Sequence, residues 1–305
     1  MPPHKAFSPS EPRLLLRALA FLQQHLPIGR GAAPRKIGAA LVSDGEYYLT
    51  TKHGAKLALS PGSFDVYATM IRSGNTWDYE DFRICVDSVP SDGVFYEIGA
   101  NVGYFAIEAA TIKPSAKIYA FEPQTNLVDA INLSVEYNNL ENLKVINALV
   151  GDEEGERVLY IAPASIHASA VEDSGRNPVG SIPKRMITID GLIERGEIVP
   201  PDFVKMDVEG SEALVFKGAT ATFRTHMPNI FLEYLSEFDV GERVRKEVES
   251  LVSSSENYSL YGIPRANLRE KYRGLFIPIS EIGYRDVHGL YIRNISRIVG
   301  SATMF

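Results

Sequence analysis

Residues 95–105 read FYEIGANVGYF. Apolar and aromatic residues run into Gly99, a short turn carries Asn101, and Gly103 opens a second apolar segment. A strand, a glycine loop and a helix N-terminus in that order form the device by which α/β folds hold a nucleotide. A loop for an anionic dinucleotide wants G-x-G-x-x-G, so that bare backbone can approach the pyrophosphate. Here Asn101 stands in place of the middle glycine, and Glu97 would repel a phosphate. A cofactor with positive charge removes the objection. S-adenosylmethionine (SAM) carries an ammonium and a sulfonium, and Gly99 and Gly103 still let its adenosine approach the backbone. A carboxylate at the strand end then attracts the ligand.

The flanking segments support this. Val94–Ile98 reads as a first strand and 103–112 as the helix after it. Lys117–Phe121 reads as a second strand, ending in Glu122, about 25 residues beyond Glu97. An acid there can take both ribose hydroxyls. A cofactor site drawn from these segments comprises Glu97, Gly99, Ala100, Asn101, Gly103, Tyr104, Glu122 and Pro123. Further on, 124–138 reads as a helix and 143–148 as a third strand. Phe203–Met206 and 229–234 read as strands four and five, 240–252 as an amphipathic helix, and 258–261 and 289–292 as the last two strands. Alternating strands and helices predict a mostly parallel sheet covered on both faces.

The stretch from Gly155 to Lys184 interrupts the series. It is rich in Pro, Ser, Gly and Asn and reads as a long binding loop or lid. Ahead of residue 89 the pattern is different. A helix over 14–26 places Leu15, Leu19, Leu22 and Leu26 on one face. It is expected to pack on its own domain or on a second copy, making a homodimer. Arg13 and Arg17 beside it leave a membrane-surface helix as the alternative. Residues 29–36 read as a linker. Short strands around 46–51 and 55–59 form a hairpin about Lys52-His53-Gly54, and two helices follow over 63–73 and 76–86. The division expected is a cap over residues 1–88 and a catalytic domain over 89–305.

Composition narrows the classes. The chain has 305 residues, 45% of them hydrophobic, and a net charge of −7. An acidic chain disfavours general nucleic-acid binding, which needs a dense basic surface. The single cysteine, Cys85, excludes an intrachain disulfide and a cysteine-based zinc site, and reads as a buried thiol. No span or leader pattern is evident, so a cytoplasmic protein is expected.

Three segments carry a family resemblance: 94–103; Ala120-Phe121-Glu122-Pro123 with Asn126; and 204–212, reading VKMDVEGSE, with Gly218 after it. They resemble the signature blocks of FkbM-type SAM-dependent methyltransferases. The resemblance covers roughly Ser91 to Tyr234. It implies an α/β, Rossmann-like class I methyltransferase fold, whose seven-stranded, mostly parallel sheet ends in an antiparallel strand. It also implies methyl transfer to oxygen, on hydroxyls of sugars or of secondary metabolites. Carried over, Asp207 and Glu209 fall at the reaction face.

Such a transfer needs alignment and a base for the hydroxyl proton. Asp207 is the favoured base, with Glu209 or His167 as alternatives. Ser169, Glu233 and Trp77 are candidates for binding the acceptor. No metal is assigned, although Asp207, Glu209 and Glu233 could offer oxygen ligands to Mg²⁺. His226 and His288 read as structural. The function expected is O-methylation of a carbohydrate, in a bacterial glycan, glycolipid or sugar nucleotide. The alternatives are a polyketide or other natural product as acceptor, and a methyltransferase-like scaffold without turnover. A Rossmann dehydrogenase fails on the loop sequence and its charge.

Overall fold

The computed structural model describes residues 10, 12, 14–25, 32–42, 47–60, 63–161, 168–171, 180–235, 239–272 and 276–296. Two helices come first, α1 (Leu14–His25) and α2 (Ala32–Leu41). The hairpin β1 (Tyr48–Thr50) and β2 (Lys56–Ala58) follows, then α3 (Phe64–Arg72) and α4 (Tyr79–Ser88). The strand–helix series runs β3 (Val94–Ile98), α5 (Tyr104–Ile112), β4 (Lys117–Phe121), α6 (Thr125–Asn138) and β5 (Leu143–Ile146). Next come β6 (Leu149–Val150), β7 (Gly155–Ile161), β8 (Gly180–Ile187), α7 (Ile189–Glu194), β9 (Phe203–Met206), α8 (Glu212–Gly218) and α9 (Thr220–His226). The chain continues through β10 (Asn229–Glu233), α10 (Asp239–Ser253), β11 (Tyr258–Pro264), β12 (Ile277–Pro278), α11 (Ile279–Ile282) and β13 (Val287–Asn294).

The main sheet has the order β12-β11-β13-β10-β9-β3-β4-β5. Strands β10, β9, β3, β4 and β5 are parallel, and β13 runs antiparallel to both neighbours. The expected seven strands and antiparallel last strand are present. The two-residue β12 adds an eighth at the edge, antiparallel to β11.

The central strands β3 and β9 are buried on both faces, as a doubly covered sheet requires, with Glu97 and Lys205 as their charged residues. Phe95 and Phe203 join the core on the side of α1–α5, whereas Tyr96, Ile98, Val204 and Met206 join the core on the other side. The first core runs without a break from Leu16 of α1 through Phe64, Phe82 and Ile107 to Phe203. The N-terminal region therefore shares its packing with the sheet. The chain leaves β3 toward β4 and β5, then returns to β9 on the other side of β3. That reversal opens a crevice at the carboxyl ends of β3, β4 and β9, where open α/β sheets bind ligands.

Three sequence expectations need correction. The segment 29–36 is not all linker, because α2 begins at Ala32. Pro34 falls in the first turn, where its missing N–H costs no helix bond. The stretch 155–184 is not all loop. Its ends are strands β7 and β8, paired antiparallel from Gly155↔Met186 to Ile161↔Gly180, with β6 alongside β8. Helix α1 buries Leu16, Leu19 and Ala20, while Leu15 and Leu22 are exposed. Leu26 lies outside the described residues. Among the described residues, no helix is long and apolar enough to cross a membrane.

Candidate functional site

The loop after β3 is held by three unusual backbone positions. Gly99, Asn101 and Gly103 have φ of 82°, 53° and 75°. The N–H groups of Gly99 and Ala100 both donate to the Phe121 carbonyl at 3.0 Å, tying the loop to the end of β4. A Cβ on Gly99 would overlap the Asp207 carbonyl oxygen, and one on Gly103 would lie 3.0 Å from Ile131 of α6. Asn101 takes the left-handed conformation that asparagine tolerates better than most residues. It thus supplies the turn that a second glycine would otherwise make.

Glu97 lies 1% exposed beneath this loop, and its Oε2 accepts the Ala106 N–H at 2.8 Å. The carboxylate ahead of the glycines therefore anchors the first turn of α5. Its cross-strand neighbour on β9 is Lys205. Burial pushes the Glu97 carboxyl up to about 7, against the pull of Lys205. Glu122 is 4% exposed. It accepts the Asn101 N–H through Oε2 at 2.8 Å and the Gln124 N–H through Oε1 at 2.9 Å. Burial raises it to about 7 as well, with those N–H groups opposing. Glu122 and Pro123 line a cleft with Ile98, Gly99, Asn101, Leu149, Val150 and Asp207.

Lys205 projects from β9 and is 6% exposed. Its Nζ donates to Asp207 Oδ2 at 3.1 Å and lies 5.0 Å from the centroid of the Phe105 ring. Burial alone would lower its pKa, but Asp207 and Glu97 together hold it above the usual lysine value. An ammonium buried this deeply costs several kcal/mol unless paired, so Lys205 and its acids stand or fall together. Glu233, at the end of β10, is raised well above the usual carboxylate range, first by the negative charge of Asp207, then by burial and by Glu209. Glu209 sits at φ 53° in the turn that leads to α8. Glu212 secures that turn, its Oε1 accepting Val208 N–H at 3.1 Å and Gly210 N–H at 3.3 Å. Asp207, Glu209 and Glu233 each place a carboxylate oxygen within 4.8 Å of the others.

Two cavities meet at these acids. The inner one, about 150 Å³, is lined by the loop residues Gly99–Val102, Tyr104, Phe105, Glu97, Lys205, Asp207, Glu209 and Glu233. The outer one, about 640 Å³, lies between α4 and the strand ends. Trp77, Asp78, Phe105, Lys205, Asp207 and Glu233 line both. The outer wall adds Glu80, Asp81, Arg265, Arg269 and His288. Asp207 borders the cleft and both cavities.

The structure thus gathers Glu97, Gly99, Ala100, Asn101, Tyr104, Glu122, Pro123, Asp207, Glu209, Glu233 and Trp77 around one crevice. Gly103 stands just behind it as the cap of α5. Ser169 is buried, its hydroxyl 3.2 Å from that of Ser211, while its neighbours Ala168 and Ala170 line the cleft. His167 lies outside the described residues. His226 ends α9, but His288, read as structural, reaches the outer cavity, with Nε2 3.3 Å from Asp81. Lys205 and Asp78 are among the lining residues that sequence reasoning missed, with Asp81, Arg265, Arg269 and His288. Lys205 was visible as the lysine of the VKMDVEGSE block and of the apolar run FVKM, but it was given no role. Asp78 precedes α4 at φ 38° and left no signal beyond an acid beside Trp77.

The sequence profile described as the methyltransferase FkbM domain matches residues 97–258, more than half of the chain. A protein of Haloferax volcanii named hexuronic acid methyltransferase AglP is 30% identical over 138 residues, 45% of this chain and 54% of that one. The match thus spans about half the length of that relative. A protein of Sordaria araneosa named methyltransferase sdnD is 24% identical over 204 residues, 57% of this chain and 77% of its own. The crystal structure of methyltransferase FkbM from Methylobacillus flagellatus is 14% identical, covers 77% of this chain and 56% of that one, and superposes with a TM-score of 0.44.

Proposed function

The chain belongs to the FkbM methyltransferase domain family, and from that premise we propose that it transfers the methyl group of SAM to a hydroxyl oxygen of a carbohydrate. One observation carries the proposal: Asp207 borders both the cleft beside Glu122 and the outer cavity, where cofactor and acceptor would meet. The polar walls of the outer cavity, with Asp78, Asp81, Arg265, Arg269 and His288, suit a hydroxylated acceptor better than an apolar polyketide. The name of the Haloferax relative supports the same acceptor class. The cytoplasm is the location we propose.

The chemistry assigned to each residue follows from its surroundings. SAM, when bound, would supply an electrophilic methyl group for the acceptor oxygen and would leave as S-adenosylhomocysteine. Glu122 would hold the ribose hydroxyls, and the loop at Gly99–Gly103 would hold the rest of the cofactor. Asp207 accepts the acceptor's hydroxyl proton. Lys205 holds the Asp207 carboxylate in place, and Glu233, retaining its proton, donates to it. Glu209 and His167 remain the alternative bases. Trp77 offers an aromatic face for the C–H surface of a sugar ring.

No step is routed through a metal. The oxygens of Asp207, Glu209 and Glu233 are close enough to hold a divalent cation, but the Lys205 ammonium already occupies one side of the Asp207 carboxylate. Turnover should survive EDTA without loss. Strong inhibition by EDTA, reversed by Mg²⁺, would contradict the metal-free assignment. The acceptor class is tested by transfer of label from methyl-labelled SAM to a panel of sugars, uronic acids and sugar nucleotides. Incorporation into at least one is expected. Label entering only apolar polyketide alcohols would overturn the carbohydrate assignment.

A further inference from the structure

We infer that the N-terminal helical pair is a docking surface for an anionic lipid bilayer. The outer side of α1 is apolar where a solvated helix carries charge. Leu14 is 84% exposed, Leu15 58%, Phe21 58% and Leu22 44%. On a helical projection these four and Ala18 form one continuous face, opposite the buried Leu16, Leu19 and Ala20. Apart from His25, the only ionisable residue within α1 is Arg17. Helix α2 packs beside α1 and exposes Ile37 and Leu41, one turn apart on its own surface.

The same region is basic in an acidic chain. Within α1 and α2 the charged residues are Arg17, Arg35 and Lys36, with no acid, whereas the whole chain carries −7. An anionic surface would attract this end and repel the remainder, which orients the protein as well as binding it. A helix of 12 residues spans about 18 Å, too short to cross the ~30 Å hydrocarbon core, so α1 would lie in the interfacial plane. A second copy is the poorer occupant. A symmetric dimer through this face would bring two like-charged helical pairs, each with Arg17, Arg35 and Lys36 and no acid, against each other.

Helix α3 links this surface to the reaction site. It packs against α1 and α2, and its Val66 lines the inner cavity. Two helices, α1 itself and α3, about 20 Å in all, therefore lie between the docking face and the inner cavity. An acceptor tethered to a lipid headgroup would be presented there.

Co-sedimentation tests the inference, using vesicles of phosphatidylcholine alone and of phosphatidylcholine mixed with phosphatidylglycerol. The wild-type chain should pellet with the mixed vesicles, release at high salt, and stay in solution with the neutral ones. The Leu14→Ser/Leu15→Ser variant should lose about tenfold or more of its partitioning, the scale expected for two buried aliphatic side chains. Near-UV circular dichroism and SAM affinity would confirm that this variant is folded. Absence of pelleting with mixed vesicles, equal pelleting with both kinds, or unchanged pelleting of the variant would overturn the inference. So would a wild-type dimer in sedimentation velocity that the double substitution makes monomeric, which would assign the face to a second copy.

Discussion

Lys205 shows how a residue can be plain in the sequence while its part in the site is not. A lysine between Val204 and Met206 is visible, but only the register of β9 against β3 reveals that it faces Glu97 and shares a side with the cap. Asp207 was legible because it closes a strand at the crevice. Asp78 was not, since nothing in the cap's sequence says that α4 would lean over the strand ends. Replacing Asp207 with Asn should cut kcat by ~10²–10⁴, the contribution of a general base, while SAM affinity changes little. Near-wild-type kcat in that variant would move the proton to Glu209 or His167. The buried acids also give the apoprotein a pH signature. Glu97, Glu122 and Glu212 are each raised from 4.5 to about 7 by burial. The folded state then keeps protons that the unfolded chain has released, so stability falls as pH rises from about 4.5 through about 7. Thermal unfolding without cofactor should show a higher Tm near pH ~5 than near pH ~8, by roughly 2–4 °C per kcal/mol lost. A Tm that rises over this window would contradict the burial assigned to these groups.

At the scale of elements, the central strands and α5 were readable because each has one dominant signal. β3 and β9 are short apolar runs, and the left-handed turn at 99–103 marks where β3 ends. The missed elements lack such a signal. β7 carries Glu156 and Arg157, and β8 carries Pro183, Lys184 and Arg185, so neither reads as core; they pair mainly with each other at the protein's surface. Helix α1 is apolar nearly all round, and periodicity alone could not choose its buried face. The glycine loop depends on close approach between β3 and β9. In Gly99→Ala the added methyl would have to displace the Asp207 carbonyl, and φ of 82° disfavours any side chain. The substitution should cost more than ~2 kcal/mol and remove activity, as measured by denaturant unfolding and methyl transfer. A variant within ~0.5 kcal/mol of wild type, the range of neutral surface changes, would contradict that contact.

The whole molecule behaves as one packed body in its largest core. Leu16, Phe64, Phe82, Phe105, Ile107 and Phe203 belong to a single cluster, although the first three precede residue 89. We propose that the division at residue 88 separates roles and not folding units: the cap shapes the acceptor cavity and the later part supplies the cofactor cleft. Residues 89–305 expressed alone would uncover the apolar side of α5 and of the sheet, and should aggregate. Cooperative unfolding of a soluble 89–305 fragment would show two independent domains. The central claim is that the crevice at Gly99–Gly103 and Glu122 binds SAM. Isothermal titration calorimetry of wild type and Glu122→Ala with SAM, repeated with NADH, tests it most directly. Micromolar SAM binding, weakened about tenfold or more by the substitution and absent for NADH, is the expected result, one lost pair of charge-assisted hydrogen bonds being worth at least that factor. A folded wild-type protein that binds no SAM, or binds NADH instead, would contradict the claim.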